Sequence, residues 1–285
     1  MSVPLPNEAL PCGRTTSRDC TVLLTGASTG IGFQTARLLA ARRCTVIVHA
    51  RSEEESADTY CRLIRSDVDV SRLYPAVADF SDLRQVTDMA TAITALYPRV
   101  DVLVNNAATA GAARRVITRD GHERTWQIDY LAPYLLTRLL EDTLARSEVG
   151  RVVNVSSTLH RGGRIAWNDL SRKRRYTRTA AYAQAKLALT MLTTALAESR
   201  PKVREAVSIH PGVVATGMLP TYGYPCLPAI EGAHRVARLA DPGTQVLNGA
   251  YYDGFLPAEA AEVDRDDVQK LWDLSERLTR LGKRS

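Results

Sequence analysis

Short runs of apolar residues alternate along the chain with longer stretches in which apolar residues recur at helical spacing. The short runs predict strands at residues 21–25, 45–49, 74–78, 100–104, 152–155 and 203–209, and a brief one at 249–252. The longer stretches predict helices at residues 30–42, 53–65, 82–96, 120–146, 179–199 and 264–281. This alternation predicts an α/β fold of the Rossmann type, a doubly wound parallel sheet of about seven strands with helices on both faces.

The bulk composition narrows the class of protein. With 285 residues, 45% of them hydrophobic, and no repeat or linker, the chain fits a loose N-terminal arm at 1–19 and a single domain at 20–285. We find no apolar run of about 18 residues to span a membrane and no ligand spacing for a metal. The net charge of +6 fits a basic surface with phosphate pockets better than a nucleic-acid partner. Five scattered cysteines without a C-x-x-C pair predict reduced thiols and a cytoplasmic protein.

A glycine-rich turn follows the first predicted strand, where residues 25–32 read Thr-Gly-Ala-Ser-Thr-Gly-Ile-Gly. Gly26 permits a tight turn, Gly30 lets the backbone approach a pyrophosphate, and Gly32 allows the helix to pack closely on the sheet. The N-terminus of the following helix offers unpaired N–H groups to an anion. Because the turn lies between a strand and a helix of a βαβ unit, it predicts a dinucleotide site.

The end of the second predicted strand distinguishes NAD from NADP. An acidic residue there would bind the ribose 2′-hydroxyl, whereas this chain has Arg51 and Ser52, which suit a 2′-phosphate. Glu53, Glu54 and Glu55 follow in the first turn of a predicted helix, and we expect them to point away from the nucleotide. The predicted cofactor is therefore NADP(H).

A tyrosine and a lysine lie four residues apart on another predicted helix. This spacing places Tyr182 and Lys186 on one helix face. A free tyrosine has a pKa of about 10, too high for a base near neutral pH, and a nearby ammonium lowers it. Ser157 follows a predicted buried strand, at the sheet edge where parallel sheets bind ligands. Its hydroxyl could bind a substrate carbonyl or cap a turn.

Together these motifs resemble those of the short-chain dehydrogenase/reductase family. The matching positions are T-G-x-x-x-G-x-G at 25–32, Asn-Asn-Ala-Ala at 105–108 in place of N-N-A-G, Ser157, Y-x-x-x-K at 182–186, Pro211-Gly212 with Thr216, and Asp79. Residues 167–170 in the insertion before Tyr182, 208–212 and 271–275 are similar to the retinol-dehydrogenase-like branch. The resemblance covers residues 20–281.

The resemblance implies a role for each matching residue. Ser157 would orient the substrate carbonyl, Tyr182 would deliver or remove the proton, and Lys186 would bind the nicotinamide ribose and depress the pKa of Tyr182. The predicted catalytic residues are these three and Asp129. The residues predicted to bind the cofactor are Gly26, Ser28, Thr29, Gly30, Ile31, Gly32, Arg51, Ser52, Asp79, Phe80, Asn106, Ala107, Tyr182, Lys186, Pro211, Gly212, Val214 and Thr216.

The chain departs from the family pattern at one catalytic position. The family usually has an asparagine in the helix after the fourth strand, and this chain has Asp129. That asparagine holds a water of the proton relay through its backbone carbonyl, so we expect the relay to persist. The new carboxylate could pair with Lys186 and weaken its effect on Tyr182, which predicts an altered pH dependence.

The predicted function is hydride transfer between NADP(H) and the carbonyl or alcohol of a fairly hydrophobic small molecule. Apolar and aromatic residues at 218–228 predict a substrate lid near 217–230, although an oligomer contact would use similar residues. One alternative is imine or enone reduction or epimerisation in a tailoring pathway. Another is a cofactor-binding regulatory protein without turnover. The helix that carries Tyr182 could also provide the contact surface of a homodimer.

Overall fold

The computed structural model describes residues 20–42, 44–66, 68–199, 202–214 and 226–281. The predicted N-terminal arm at 1–19 lies outside the described residues, and so do Thr216 and residues 217–225 of the predicted lid. The division into arm, domain and lid therefore stays a prediction.

The strands of the described residues form one sheet. They are β1 (Thr21–Leu24), β2 (Thr45–Ala50), β3 (Leu73–Val77), β4 (Val102–Asn105), β5 (Arg151–Val155), β6 (Glu205–His210), β7 (Tyr251–Asp253) and β8 (Leu256–Ala258). Their order is β3-β2-β1-β4-β5-β6-β7-β8. β1 to β7 are parallel, and β8 pairs antiparallel with β7. The reversal of strand order between β1 and β4 confirms the doubly wound, Rossmann-type fold.

Helices connect the strands and cover the sheet. They are α1 (Gly30–Ala41), α2 (Glu53–Ile64), α3 (Leu83–Leu96), α4 (Arg124–Trp126), α5 (Ala132–Ala145), α6 (Arg178–Ser199), α7 (Ala229–Leu239) and α8 (Arg265–Thr279). A π-helical turn, Gln127–Leu131, joins α4 to α5. The side chains of Ser52, Asp82 and Asp264 accept hydrogen bonds from first-turn N–H groups, and so fix where α2, α3 and α8 begin.

The core consists of two layers, one on each face of the sheet. Successive strand residues point to opposite faces, so Leu23 packs in one layer and its neighbours Val22 and Leu24 pack in the other. The first layer also contains side chains of α3, α5, α6 and α8, and the second contains those of α1, α2 and α7. Since both faces are covered, the central strands are mostly apolar, as in β1 with Val22, Leu23 and Leu24.

Three elements differ from the prediction. The sheet has eight strands among the described residues instead of about seven, because a tight turn with Gly254 at φ 64° returns the chain as the three-residue β8. The single helix predicted at 120–146 begins instead at Arg124 and contains the π-helical turn. We did not predict α7, although its buried residues, among them Ala233, Val236 and Ala237, recur at helical spacing.

The expectation of reduced cysteines is wrong for two of the five. Cys20 and Cys44 form a disulfide with a Cα–Cα distance of 5.0 Å. Each immediately precedes a strand, and Thr21 of β1 is the register partner of Thr45 of β2. The pairing of two parallel strands therefore brings together cysteines that are 24 residues apart in sequence, a contact that no local motif reveals.

Candidate active site

The glycine-rich turn is held by close backbone packing. Gly26 has φ 63°, and a Cβ there would lie 2.6 Å from the Cα of Ala107. A Cβ on Gly32 would lie 2.6 Å from Nδ2 of Asn106. That Nδ2 donates hydrogen bonds to the carbonyl oxygens of Thr25 and Gly26 at 2.9 and 3.0 Å. Asn106 and Ala107 therefore fix the turn from β4, and side chains larger than glycine would not fit at residues 26 and 32.

The first turn of α1 is open to an anion. Thr29 precedes the helix, is exposed, and makes no side-chain capping bond among the described residues, unlike the caps of α2, α3 and α8. Gly30 has φ 54°. The side chain of Ile31 lies towards α7, where a Cβ on Gly232 would be 3.2 Å from it. The N–H groups of this turn thus suit a pyrophosphate.

His49 supports the same turn, a role that the sequence did not reveal. Its Nδ1 accepts a hydrogen bond from the N–H of Gly26 at 2.9 Å, so its Nε2 carries the proton and donates to the carbonyl of Ala78 at 2.9 Å. Burial lowers the pKa of His49 to about 4, so the ring is neutral at physiological pH. The ring also stacks on Phe80, with 4.5 Å between centroids.

The residues assigned to the adenosine end of the cofactor meet at the carboxyl ends of β2 and β3. Arg51 and Ser52 follow β2 directly. Asp79 lies beyond β3, where its carboxylate accepts the N–H of Ser81 at 2.8 Å. Phe80 follows it and contacts His49. The structure therefore brings the predicted NADP residues to one edge of the sheet.

The expectation that Glu55 points away from this pocket is wrong. Its carboxylate accepts hydrogen bonds from Oγ of Ser28 at 3.0 Å and from the backbone N–H of Arg51 at 2.8 Å. Because α2 begins at Glu53, residue 55 lies in its first turn and faces back towards the glycine-rich turn. Ser52 caps this helix by accepting the N–H of Glu55 at 3.2 Å.

The predicted catalytic side chains gather beside the carboxyl end of β5. Lys186 is buried, and its Nζ donates to the carbonyl of Val155, the last residue of β5, at 3.1 Å. The same Nζ lies 5.4 Å from the ring centre of Tyr182, one helical turn earlier. Ser157 is buried two residues after β5 and accepts the N–H of Leu159 at 3.3 Å, so it also caps the turn that follows.

Opposing effects act on the phenol of Tyr182. Burial raises its pKa above the ordinary value of 10.0, and the nearby charge of Lys186 lowers it. The carboxylate of Asp129 raises the pKa, and a hydrogen bond with Ser157 lowers it. The balance is a raised pKa, so the free protein holds Tyr182 as a proton donor.

Asp129 forms the ion pair with Lys186 that the sequence had left open. Its Oδ2 lies 3.4 Å from Nζ, and its Oδ1 accepts the N–H of Thr109 at 2.7 Å. Burial raises the pKa of Asp129 to about 6, although Lys186 acts in the opposite direction. The π-helical turn, which contains Asp129, carries this carboxylate in a fully buried position. Such turns are frequent at functional sites.

Comparison with known proteins identifies the family. Residues 20–223 match the family model described as short chain dehydrogenase. The chain belongs to this family. It is 34% identical to a candidate daunorubicin C-13 ketoreductase of Streptomyces sp. (strain C5), over 96% of this chain and 97% of that protein. It is also 34% identical to retinol dehydrogenase 13 of Mus musculus, over 92% of this chain and 84% of that protein. These matches confirm the resemblance to the retinol-dehydrogenase-like branch.

A solved structure of an uncharacterised protein from Mycobacterium paratuberculosis has a similar fold. Its TM-score is 0.75 at 29% identity, and the match covers 92% of this chain and 93% of that one. The Rossmann-type architecture is therefore shared along nearly the whole chain.

In this short chain dehydrogenase, the segment after β6 completes the described part of the site. The carbonyl of Pro211 accepts a hydrogen bond from Nη1 of Arg235 on α7 at 2.9 Å. Gly212 has φ 102°, and Val214 is buried and bridges to Leu227. The structure places these predicted cofactor residues beside α7, and Thr216 lies outside the described residues.

The sequence motifs assign no role to His160, and the structure places its side chain in a completely buried position. Its Nδ1 lies 2.6 Å from the carbonyl oxygen of Ser157, and its Nε2 accepts the N–H of Ala261 at 3.0 Å. His160 therefore connects the residue that the sequence assigns to the substrate carbonyl with the segment before α8.

No helix among the described residues is long and apolar enough to cross a membrane. No group of three or more His, Cys, Asp or Glu side chains among them is placed to hold a metal ion.

Proposed function

We propose that this chain is an NADP(H)-dependent oxidoreductase that transfers a hydride between the nicotinamide and the carbonyl or alcohol of a fairly hydrophobic small molecule. The observation that carries the proposal is the cluster of Ser157, Tyr182 and Lys186 at the carboxyl end of β5. It lies at the same sheet edge as the glycine-rich turn of the nucleotide site. Parallel α/β sheets bind ligands along this edge.

The proton chemistry follows from the side chains. NADPH, when bound, supplies the hydride to the carbonyl carbon. The hydroxyl of Ser157 orients the carbonyl oxygen and donates a hydrogen bond to it as negative charge develops. Tyr182 donates its phenolic proton to that oxygen, and the ammonium of Lys186 stabilises the tyrosinate that remains. In alcohol oxidation the same tyrosinate removes the proton.

The choice of NADP(H) rests on polar groups at the ends of β1 and β2. The guanidinium of Arg51 and the hydroxyls of Ser28 and Ser52 can donate hydrogen bonds to a 2′-phosphate. We assign the adenine contact to Asp79 and Phe80, and the nicotinamide end to Pro211, Gly212, Val214 and Thr216. The choice of a hydrophobic carbonyl or alcohol is supported by the relatives, which are named for the reduction of daunorubicin and for retinol.

The test is a panel of hydrophobic ketones and aldehydes with NADPH, measured for wild type and Tyr182→Phe. We expect the variant to lose about 10²–10⁴-fold in kcat, the usual contribution of a positioned general acid, and to keep its NADPH affinity. Tyr60→Phe is the matched control, because the Tyr60 hydroxyl lies on α2 with no hydrogen-bond partner among the described residues. A Tyr182→Phe variant as active as wild type would contradict the mechanism. NADPH binding without turnover of any carbonyl would favour a regulatory role.

A further inference from the structure

The nucleotide pocket contains a carboxylate as well as the groups assigned to the 2′-phosphate. Glu55 accepts a hydrogen bond from Oγ of Ser28 at 3.0 Å through Oε1. Through Oε2 it accepts the backbone N–H of Arg51 at 2.8 Å and lies 3.6 Å from Nε of the same arginine. The carboxylate of Glu55 therefore contacts two of the three residues to which the proposed function assigns the phosphate, Ser28 and Arg51.

These contacts use donor groups that a phosphate would need. A serine hydroxyl has a single proton to donate, and in this structure Ser28 directs it at Glu55. The guanidinium of Arg51 forms its ion pair with the same carboxylate. A 2′-phosphate would therefore compete with Glu55 for both groups.

Arg51 and Glu55 differ in how firmly their side chains are held. The side chain of Arg51 is 72% exposed, whereas that of Glu55 is 24% exposed. Two hydrogen bonds hold the carboxylate, and the Ser52 cap fixes the backbone of residue 55. Arg51 can turn to a new anion, but Glu55 would remain close to it. A phosphate monoester carries a charge of about −1.5 to −2 at neutral pH, so the two anions repel each other.

We propose that Glu55 is a specificity-determining residue that competes with the 2′-phosphate for Arg51 and Ser28, and so limits the preference for NADPH over NADH. This inference rests on the proposed NADP(H) function, because it needs the phosphate to bind at Arg51. NADH has no phosphate at this position, so Glu55 imposes no comparable penalty on it. The carboxylate lowers the affinity for one nucleotide and leaves the other nearly unchanged.

The experiment compares Glu55→Gln with Glu53→Gln in nucleotide titrations. Both substitutions remove one negative charge from the first turn of α2, so their effects on the helix are matched. Glu53 is exposed and lies about 200° around the helix from Glu55. The ligands are NADPH, NADH and 2′,5′-ADP, with dissociation constants from calorimetry. Because 2′,5′-ADP carries the 2′-phosphate but no nicotinamide, its dissociation constant can be measured without any turnover.

We expect Glu55→Gln to bind NADPH and 2′,5′-ADP about tenfold more tightly than wild type, and NADH within about twofold. Glu53→Gln should bind all three ligands within about twofold of wild type. If Glu55→Gln leaves NADPH affinity unchanged or weakens it, while Arg51→Gln still weakens NADPH binding, the role of Glu55 is wrong and the proposed cofactor stands. If wild type binds neither NADPH nor NADH, both proposals are overturned.

Discussion

Two ion pairs, each with a buried cation, lie at the opposite ends of strand β5, and they are built differently. At its first residue, Nε of Arg151 contacts Oε2 of Glu205 at 2.6 Å. The remaining guanidinium nitrogens donate to three carbonyl oxygens at 2.7–2.9 Å. At its last residue, Nζ of Lys186 reaches the carbonyl of Val155, and its partner Asp129 is 3.4 Å away. Oδ2 of Asp129 makes no hydrogen bond with any described residue.

The difference shows what each pair can do. Every nitrogen of the Arg151 guanidinium has a partner, so the pair joins β5 and β6 to the segment after α7 and has no capacity for further chemistry. The Asp129 pair is incompletely hydrogen-bonded, and burial raises the pKa of its carboxyl to about 6. A buried group with a pKa near neutrality suits proton chemistry. We therefore expect the first pair to control stability and the second to control catalysis.

The largest expected effect is the loss of the Arg151 pair. Arg151→Met leaves Glu205 and three carbonyl oxygens without their donor, and should lower the free energy of unfolding by about 3 kcal/mol. The measurement is urea unfolding followed by circular dichroism. The fraction that remains folded should bind NADPH as wild type does. A variant with an unchanged unfolding midpoint would contradict the structural role of this pair.

A smaller effect, on the reaction rate, is expected for Asp129→Asn. Above about pH 6 the carboxylate of Asp129 is charged and raises the pKa of Tyr182. Below that pH Asp129 is protonated and no longer repels the tyrosinate form of Tyr182. The pKa of Tyr182 then falls, and the phenol gives up its proton more readily. Carbonyl reduction by wild type should therefore accelerate as the pH falls through about 6. The asparagine side chain of Asp129→Asn does not titrate, so the pH–rate profile of this variant should lack the inflection near pH 6. At pH 8 the variant should reduce substrate up to about tenfold faster than wild type, which corresponds to a barrier lower by ~1.4 kcal/mol.

The control for Asp129→Asn comes from the other ion pair. Glu205→Gln removes the carboxylate that pairs with Arg151 at the other end of β5, so it should reduce stability but leave the pH–rate profile unchanged. The profiles would be recorded as kcat for carbonyl reduction between pH 5 and 9. If both variants keep the wild-type profile, the carboxylate of Asp129 has no influence on Tyr182.

The parts of the site that the sequence predicted are those that depend on local spacing. The glycines of residues 26–32 could be recognised as a nucleotide site from the strand before them and the helix after them. Tyr182 and Lys186 needed only one helical turn between them. Ser157 and Arg51 needed only their places at strand ends, because the carboxyl edge of a parallel sheet is a consequence of the topology. Each of these positions follows from the local chain and the fold class.

The remaining features depend on contacts between distant residues. The disulfide of Cys20 and Cys44 requires the register of β1 and β2. The role of His49 requires the positions of Gly26 and Ala78. Glu55 was judged from its helix alone, and the turn that it contacts is 27 residues away. Local sequence patterns do not predict contacts between distant residues. The support of the glycine-rich turn by His49 and the carboxylate of Glu55 in the nucleotide pocket were therefore found only in the structure.

The smallest expected effect concerns His160, which positions Ser157. A substitution there should change the rate of catalysis and leave the affinity for the cofactor unchanged. Since the backbone N–H of Ala261 can only donate, Nε2 of His160 is the acceptor, and the protonated Nδ1 donates to the carbonyl of Ser157. His160→Ala removes both bonds and should lower kcat several-fold, up to about tenfold, with NADPH affinity unchanged. His160→Asn retains an amide near the Nδ1 position and should recover part of the loss. Equal losses in kcat and in NADPH affinity would show that His160 supports the fold as a whole, as Arg151 does, and not the orientation of Ser157.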